Sequence, residues 1–154
     1  MADADTQTMK VRVVTQFALD IFQTVMAAVA AADCTPPLGL ALATFMFKGI
    51  FNDVEREAGK PAIIMGFMGI TEGAIPFAAA DPVRVIPAIM LGSAVAAISS
   101  LWFGATNAAP WGGLIVLPVV SNHFGYIVSV IAGTLTTAIA VKVLKTVVKP
   151  RDEQ

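Results

Sequence analysis

An acidic residue lies at a break in an otherwise apolar part of the chain. Residues 61–140 carry only three formal charges, and the first is Glu72, within the string Gly-Ile-Thr-Glu-Gly-Ala-Ile-Pro-Phe. A charge at the centre of a spanning helix costs at least ~2.5–3.5 kcal/mol. Broken backbone at membrane depth is tolerated only where it is buried in protein or lines a polar cavity. The pattern predicts a ligand site at Glu72, with Thr71 and Gly73 beside it.

Two roles for Glu72 are open at this point. An ionised carboxylate can accept charge-assisted hydrogen bonds from the hydroxyl groups of a polyol. Alternatively, the side chain could cap the N-terminus of the half-helix that follows it, where the helix dipole favours a negative charge. We favour the binding role, and we expect Thr71 to support Glu72 or to satisfy broken backbone.

Composition indicates a single membrane domain. Of the 154 residues, 56% are hydrophobic and 14% are charged, and the mean hydropathy is +0.76; soluble domains have roughly 25% charged residues. The net charge of −1 gives no indication of nucleic-acid binding. A single cysteine, Cys34, excludes an intramolecular disulfide framework, and its apolar, proline-rich context suggests an inert thiol. No metal-ligand spacing, cofactor motif or nucleophile–base pair is apparent, so we expect no metal, no cofactor and no catalytic residue.

The apolar segments predict an all-α fold of spanning helices and broken helices. Residues 13–32, 85–103 and 125–144 have the length of spanning helices, since a core of ~30 Å needs about twenty residues. Pro36 and Pro37 predict a chain break over 33–39, followed by a half-helix over 40–51.

Further segments are expected to be polar or broken. The charged stretch 52–60 is expected in water or at the head groups; its charged residues are Asp53, Glu55, Arg56, Glu57 and Lys60. Segments 61–80 and 104–124 contain the remaining glycine and proline breaks. We divide the chain into a cytoplasmic tail (1–12), a membrane transport-like domain (13–145) and a second cytoplasmic tail (146–154).

Basic residues after the last span predict the topology. Lys142, Lys145, Lys149 and Arg151 place the C-terminus in the cytoplasm by the positive-inside rule. Residues 61–82 then enter and leave on one face as a re-entrant hairpin with Glu72 near its tip, and 104–124 forms a hairpin from the opposite face. Such hairpins bring half-helix ends together near the midplane, where transporters bind substrates.

The sequence gives weaker evidence for the roles of the other polar residues. Asn107, Gly112 and Gly113 lie in the second broken segment, whose backbone N–H groups and amide could bind a hydroxylated ligand; its glycines could equally serve only a tight turn. Asp81 and Arg84 are expected to form a structural pair that closes the first hairpin. His123 is expected to be an interfacial, solvated side chain.

Several strings resemble one transporter family. GITEGAIPFAAADPVRVIPAIMLGSAV, preceded by PPLGLALATFMFK and EREAGK and followed by APWGGLIVLPVV, is similar to the fructose-type membrane component (IIC) of the bacterial phosphoenolpyruvate-dependent sugar phosphotransferase system. The resemblance covers residues 36–144. It implies the C-terminal, substrate-carrying half of an inner-membrane component that translocates fructose or a related hexose or hexitol. It also implies a homodimer and a cytoplasmic IIB domain whose phosphocysteine phosphorylates the sugar.

Two departures from that family leave alternatives open. The family's N-terminal scaffold helices have no counterpart here, and Trp111 stands where the family usually has histidine in Ala-Pro-His-Gly-Gly. The chain could be a split-gene subunit, a truncated remnant, or an excised or redesigned half. The alternative function is therefore a non-transporting membrane interaction subunit.

Overall fold

The fold consists of helices joined by two irregular segments. The computed structural model describes residues 2–148, with side chains from Asp5 onwards. The α-helices in this part of the chain are α1 (Ala2–Met46), α2 (Asp53–Met68), α3 (Ile75–Ala80), α4 (Pro82–Trp102) and α5 (His123–Val147). Short 3₁₀ helices cover Thr71–Ala74 and Leu114–Val119. Lys149 and Arg151, which contribute to the predicted topology, lie outside the described residues.

Three of these helices are long and apolar enough to cross a membrane. They are α1 over Asp5–Met46, α4 over Pro82–Trp102 and α5 over His123–Val147. The last two coincide closely with the predicted spans 85–103 and 125–144. The prediction of an all-α membrane protein is confirmed.

The break predicted over residues 33–39 is wrong. Helix α1 continues through Pro36 and Pro37 to Met46, so the half-helix predicted over 40–51 is the end of α1. At the other end α1 includes residues 2–12, which the sequence suggested as a tail.

The continuity of α1 has a physical explanation in the carbonyl groups that the prolines release. A proline removes the hydrogen bond to the carbonyl four residues earlier, which here releases Ala32 and Asp33. Ser93 Oγ donates to the Ala32 oxygen at 3.2 Å, and Thr71 Oγ1 donates to the Asp33 oxygen at 3.4 Å. Hydroxyl groups of neighbouring segments therefore take over both carbonyls, as is common for proline in membrane helices.

The charged stretch 52–60 forms the first turns of α2. Asn52 is the N-cap residue, and its backbone N–H donates to Glu55 Oε2 at 2.9 Å in a capping box. The expectation that Glu55 would be solvated is wrong, because its side chain is 1% exposed and paired with Lys145. The partner lies ninety residues away, so local sequence gave no indication of it.

The segment between α4 and α5 is irregular rather than a pair of helices. Asn107 and Val120 form an isolated antiparallel bridge, and the Thr106 and Ser121 hydroxyls lie 2.7 Å apart. This bridge closes a loop of which the 3₁₀ helix Leu114–Val119 is part. The predicted break is present in this segment, and its assignment as a re-entrant hairpin remains a prediction.

Small residues allow α4 and α5 to pack closely. A Cβ on Gly92 would lie 2.9 Å from the Gly133 oxygen, and a Cβ on Gly133 would lie 2.8 Å from the Gly92 oxygen. The two backbones are therefore in direct contact, the arrangement typical of small residues at membrane helix interfaces. By contrast, every residue of α1 from Asp5 to Phe22 is exposed, so this half of α1 projects beyond the bundle.

Candidate functional site

The first broken segment, residues 61–80, interrupts the helical backbone at a glycine. Helix α2 ends at Met68, and Gly69 adopts the left-handed conformation with φ 73° and ψ 31°. The Gly69 and Ile70 N–H groups donate back to Gly66 and Met65 carbonyls at 3.1 and 2.8 Å. This ending resembles a Schellman motif, for which glycine is the preferred residue. The chain then re-forms a helical turn at Thr71–Ala74.

The second broken segment lies directly against the first. Gly113 has φ 98°, and a Cβ there would lie 2.6 Å from the Met68 carbonyl carbon and 2.7 Å from the Gly69 nitrogen. The Trp111 indole Nε1 donates to the Met68 oxygen at 2.9 Å. Two glycines and one tryptophan therefore hold the two breaks in contact.

Glu72 is exposed and follows Gly69 by three residues. It belongs to the 3₁₀ turn Thr71–Ala74, and within the part of the chain that the structure describes its carboxylate has no hydrogen-bond or ion-pair partner. Neither this turn nor α3 has a side-chain cap. No backbone N–H of these turns therefore donates to Glu72, while its place in the first turn of Thr71–Ala74 still allows its charge to interact with the helix dipole. Both carboxylate oxygens remain available to accept hydrogen bonds.

Thr71 links the break to α1. Its hydroxyl donates to the Asp33 carbonyl that Pro37 releases, which agrees with the expected role in satisfying broken backbone. Asp33 is thereby connected to the break through its backbone carbonyl. The sequence prediction missed Asp33 because it assigned residues 33–39 to a loop. An acidic residue four positions before a proline inside an apolar helix was the available signal.

The remaining glycines of the predicted site serve close packing. A Cβ on Gly73 would lie 3.1 Å from the Cβ atoms of Pro37 and Met65, and one on Gly112 would lie 3.2 Å from the Ala30 Cα. Both glycines let the broken segments approach α1. Helix α1 is thus the surface against which the two broken segments pack.

Asn107 organises the second loop. Its side chain is fully buried; Nδ2 donates to the Trp111 oxygen at 3.1 Å, and Oδ1 accepts from the Ala109 N–H at 2.9 Å. Its backbone N–H donates to the Gln23 oxygen at 2.9 Å. The amide therefore shapes the loop that carries Trp111, and this geometry favours the turn-forming interpretation of the segment.

A buried tyrosine supports the same loop and had no signal in the sequence. Tyr126 is fully buried in α5, and its hydroxyl donates to the Gly113 oxygen at 2.9 Å. Cys34 is also fully buried; its thiol donates to the Ala30 oxygen at 3.0 Å and lies 4.0 Å from the Tyr126 hydroxyl. The surroundings of Cys34 agree with an inert thiol.

Tyr126→Phe is expected to destabilise the protein by about 1–3 kcal/mol, because the buried Gly113 carbonyl loses its donor. Equilibrium unfolding in mixed detergent micelles measures this loss. Ser129→Ala is the control, since the Ser129 hydroxyl only donates within α5, to the Gly125 oxygen. Equal stabilities for the two variants would contradict a role for Tyr126 in holding the loop.

Asp81, Arg84 and His123, the other polar residues singled out in the sequence, are not among the residues that bring the two broken segments into contact at Gly69 and Gly113. Arg84 Nη1 and Asp81 Oδ2 are 3.1 Å apart, so the two residues form the pair expected at the start of α4. His123 is exposed in the first turn of α5.

Comparison with known proteins identifies relatives of the chain. It is 53% identical over 126 residues to the fructose-like permease IIC component 2 of Escherichia coli (strain K12), covering 82% of this chain and 35% of that protein. The chain is homologous to the fructose-type IIC components. A fructose-specific EIIC component of Haloferax volcanii is 43% identical over 125 residues, covering 81% of this chain and 32% of that protein.

A third relative has a name that includes B domains as well as the C component. The fructose-specific EIIB'BC component of Rhodobacter capsulatus is 53% identical over 115 residues, covering 73% of this chain and 20% of that protein. The chain thus spans about a third or less of these three IIC-containing relatives. No family model matches the chain, and no solved structure matches it.

Proposed function

We propose that the chain is the sugar-binding part of a membrane sugar-translocating component of the phosphotransferase system, acting on fructose or a related hexose or hexitol. The observation that carries the proposal is the exposed Glu72 carboxylate, which has no partner among the described residues and follows the break at Gly69 that packs against the second broken segment. Homology to fructose-type IIC components supports the class of substrate.

Glu72 is the principal binding residue in this proposal. Its free carboxylate oxygens can accept two hydroxyl protons, and charge-assisted hydrogen bonds are stronger than neutral ones. Thr71 and Gly73 position Glu72 through their contacts with α1. Gly112 and Gly113 bring the second loop against the break, and Asn107 fixes the shape of that loop.

Phosphoryl transfer would require a second protein. A relative whose name includes B domains supports a cytoplasmic IIB phosphocarrier as that partner. A cleft of about 530 Å³ at the junction of α1 and α2 offers a charged surface for it, lined by Thr44, Phe45, Lys48, Asp53, Arg56, Glu57 and Lys60. In this proposal the protein lies in a bacterial inner membrane, and the junction of α1 and α2 and the C-terminus face the cytoplasm.

A second candidate function rests on the projecting half of α1. Residues 5–22 are exposed along their whole length, including Met9, Val13 and Phe17 at 65–67%. Such a helix suits a partner within the bilayer, either a scaffold half or a second copy of this chain. A membrane interaction subunit without transport activity would use this surface and would not need Glu72.

Glu72→Gln is expected to weaken fructose binding at least tenfold, about 1.4 kcal/mol, because the amide keeps the shape and loses the charge. Isothermal titration of the full chain in lipid nanodiscs measures the affinity. Glu57→Gln is the matched control, since Glu57 is exposed on α2 and lies outside the site. Absence of sugar binding by the unmodified chain, across hexoses and hexitols, would overturn the proposal and favour the interaction subunit.

A further inference from the structure

The indole of Trp111 is held rigidly where the two breaks meet. Its Nε1 donates to the Met68 oxygen at 2.9 Å, and its own carbonyl accepts from Asn107 Nδ2 at 3.1 Å. The residue is nevertheless 59% exposed. An exposed aromatic ring is thus fixed by hydrogen bonds on both its side chain and its backbone.

Its hydrogen bonds limit the chemistry that this ring can perform. Tryptophan has a single donor and no acceptor, and Met68 already uses that donor. What remains for a ligand is the aromatic face, which is apolar and carries a negative quadrupole. Trp111 can therefore offer a stacking surface, and it cannot reproduce the hydrogen bonding of a histidine at the same position.

The ring and the Glu72 carboxylate both belong to the first break, so only a short stretch of backbone separates the point where the indole is bonded from Glu72. Trp111 is bonded to the carbonyl of Met68, and Glu72 follows four residues later. Four residue steps span at most about 14 Å even in a fully extended chain, and the chain here turns at Gly69. An apolar face and a few polar groups are the usual components of a small-molecule site.

Comparison with the other tryptophan separates this arrangement from an ordinary membrane-facing indole. Trp102 ends α4 and is 86% exposed. Within the described part of the chain its indole has no hydrogen-bond partner, whereas that of Trp111 is tethered to the break. The tether fixes the orientation of the ring, which a lipid-facing anchor does not require.

We propose that Trp111 is a specificity-determining residue that stacks against the C–H face of a cyclic hexose whose hydroxyls bind Glu72. This inference rests on the proposed function and narrows its substrate class. A ring sugar presents several C–H groups on one rigid face, whereas an open-chain hexitol must lose torsional freedom to present the same surface. Trp111 therefore selects ring-form hexoses over hexitols.

The test measures the affinities of the full chain in nanodiscs for D-fructose and D-mannitol, in a Trp102→Phe background. Trp111→Ala is expected to weaken fructose binding about fivefold or more, the size typical of an aromatic contact, and to change mannitol binding less than twofold. Trp111→Phe keeps a stacking face and is expected to retain fructose affinity within about threefold. Fructose is also expected to change the fluorescence of Trp111, the sole tryptophan in this background.

The outcomes distinguish this inference from the proposed function. If Glu72→Gln weakens fructose binding while Trp111→Ala and Trp111→Phe leave both affinities unchanged, the inference is overturned and the proposed function stands. Equal losses for fructose and mannitol in Trp111→Ala would overturn the ring selectivity. If the background protein binds neither sugar, both are overturned. Circular dichroism of each variant verifies that its fold is intact.

Discussion

Lys145→Met is expected to destabilise the protein by about 3–5 kcal/mol, because it leaves the buried Glu55 carboxylate without its counter-charge. Lys145 Nζ and Glu55 Oε1 are 2.6 Å apart, and their side chains are 5% and 1% exposed. Lys145 Nζ also lies 4.4 Å from the centre of the Phe51 ring. The pair joins the start of α2 to the end of α5.

A double substitution separates the charge from the packing. Glu55→Gln with Lys145→Met removes both charges and keeps an acceptor for the Asn52 N–H, as a capping box allows glutamine. Since replacing a whole buried pair is often close to neutral, the double variant should recover most of the lost stability.

A second lysine on α5 provides the matched control. Lys142→Met removes a lysine of the same helix that is exposed and lies 4.4 Å from the Phe47 ring; an exposed contact of this kind contributes about 0.5–1 kcal/mol. Equilibrium unfolding in mixed micelles compares the variants. Additive losses in the double variant, or equal losses for Lys142→Met and Lys145→Met, would contradict the importance of the pair.

Gly69→Ala is expected to cost about 3 kcal/mol or more and to abolish measurable sugar binding. A side chain in the left-handed region costs roughly 1–2 kcal/mol, and crowding a packed contact adds about 1–3 kcal/mol. The new Cβ would lie 2.5 Å from the Gly112 carbonyl carbon and closer still to the Gly113 nitrogen. These are backbone atoms, so relief requires the two broken segments to separate.

Gly104→Ala is the control for this substitution. Gly104 also has a positive φ, 62°, and a Cβ there would meet no atom within 4 Å. It should therefore show only the conformational cost of about 1–2 kcal/mol, with sugar affinity unchanged. Unfolding and fructose titration of both variants provide the comparison. The same loss of stability for Gly69→Ala and Gly104→Ala would show that the contact between the segments is unimportant.

Local signals in the sequence were sufficient for the spanning helices and for the position of the break. Apolar runs of about twenty residues predicted α4 and α5, because the bilayer thickness sets helix length. The Gly-Ile-Thr-Glu-Gly string predicted an interruption near Glu72, and the structure has one at Gly69. Contacts between residues far apart in the sequence could not be predicted in this way. Tyr126 and Gly113, for example, share no local sequence pattern that would indicate their hydrogen bond.

Long-range partners explain the failures. Pro36 and Pro37 normally end a helix, and α1 continues because Ser93 and Thr71 bind the carbonyls that the prolines release. Glu55 was expected to be solvated, and it is buried because Lys145, ninety positions later in the sequence, forms an ion pair with it. The contact of Asp33 with Thr71 was not predicted because residues 33–39 were expected to be a chain break rather than part of α1. In each instance the decisive group belongs to another segment, which propensity alone does not reveal.

The most direct test of the central claim is a solid-state NMR measurement of contacts between ¹³C-labelled fructose and the labelled chain in lipid bilayers. Binding at the contact between the two broken segments predicts cross-peaks from the sugar carbons to Glu72 Cδ. Glu72→Gln keeps a Cδ atom, and its cross-peaks to the sugar carbons should be lost because binding is weakened. Sugar contacts confined to other residues, for example the charged cleft around Lys48 and Lys60, would contradict it.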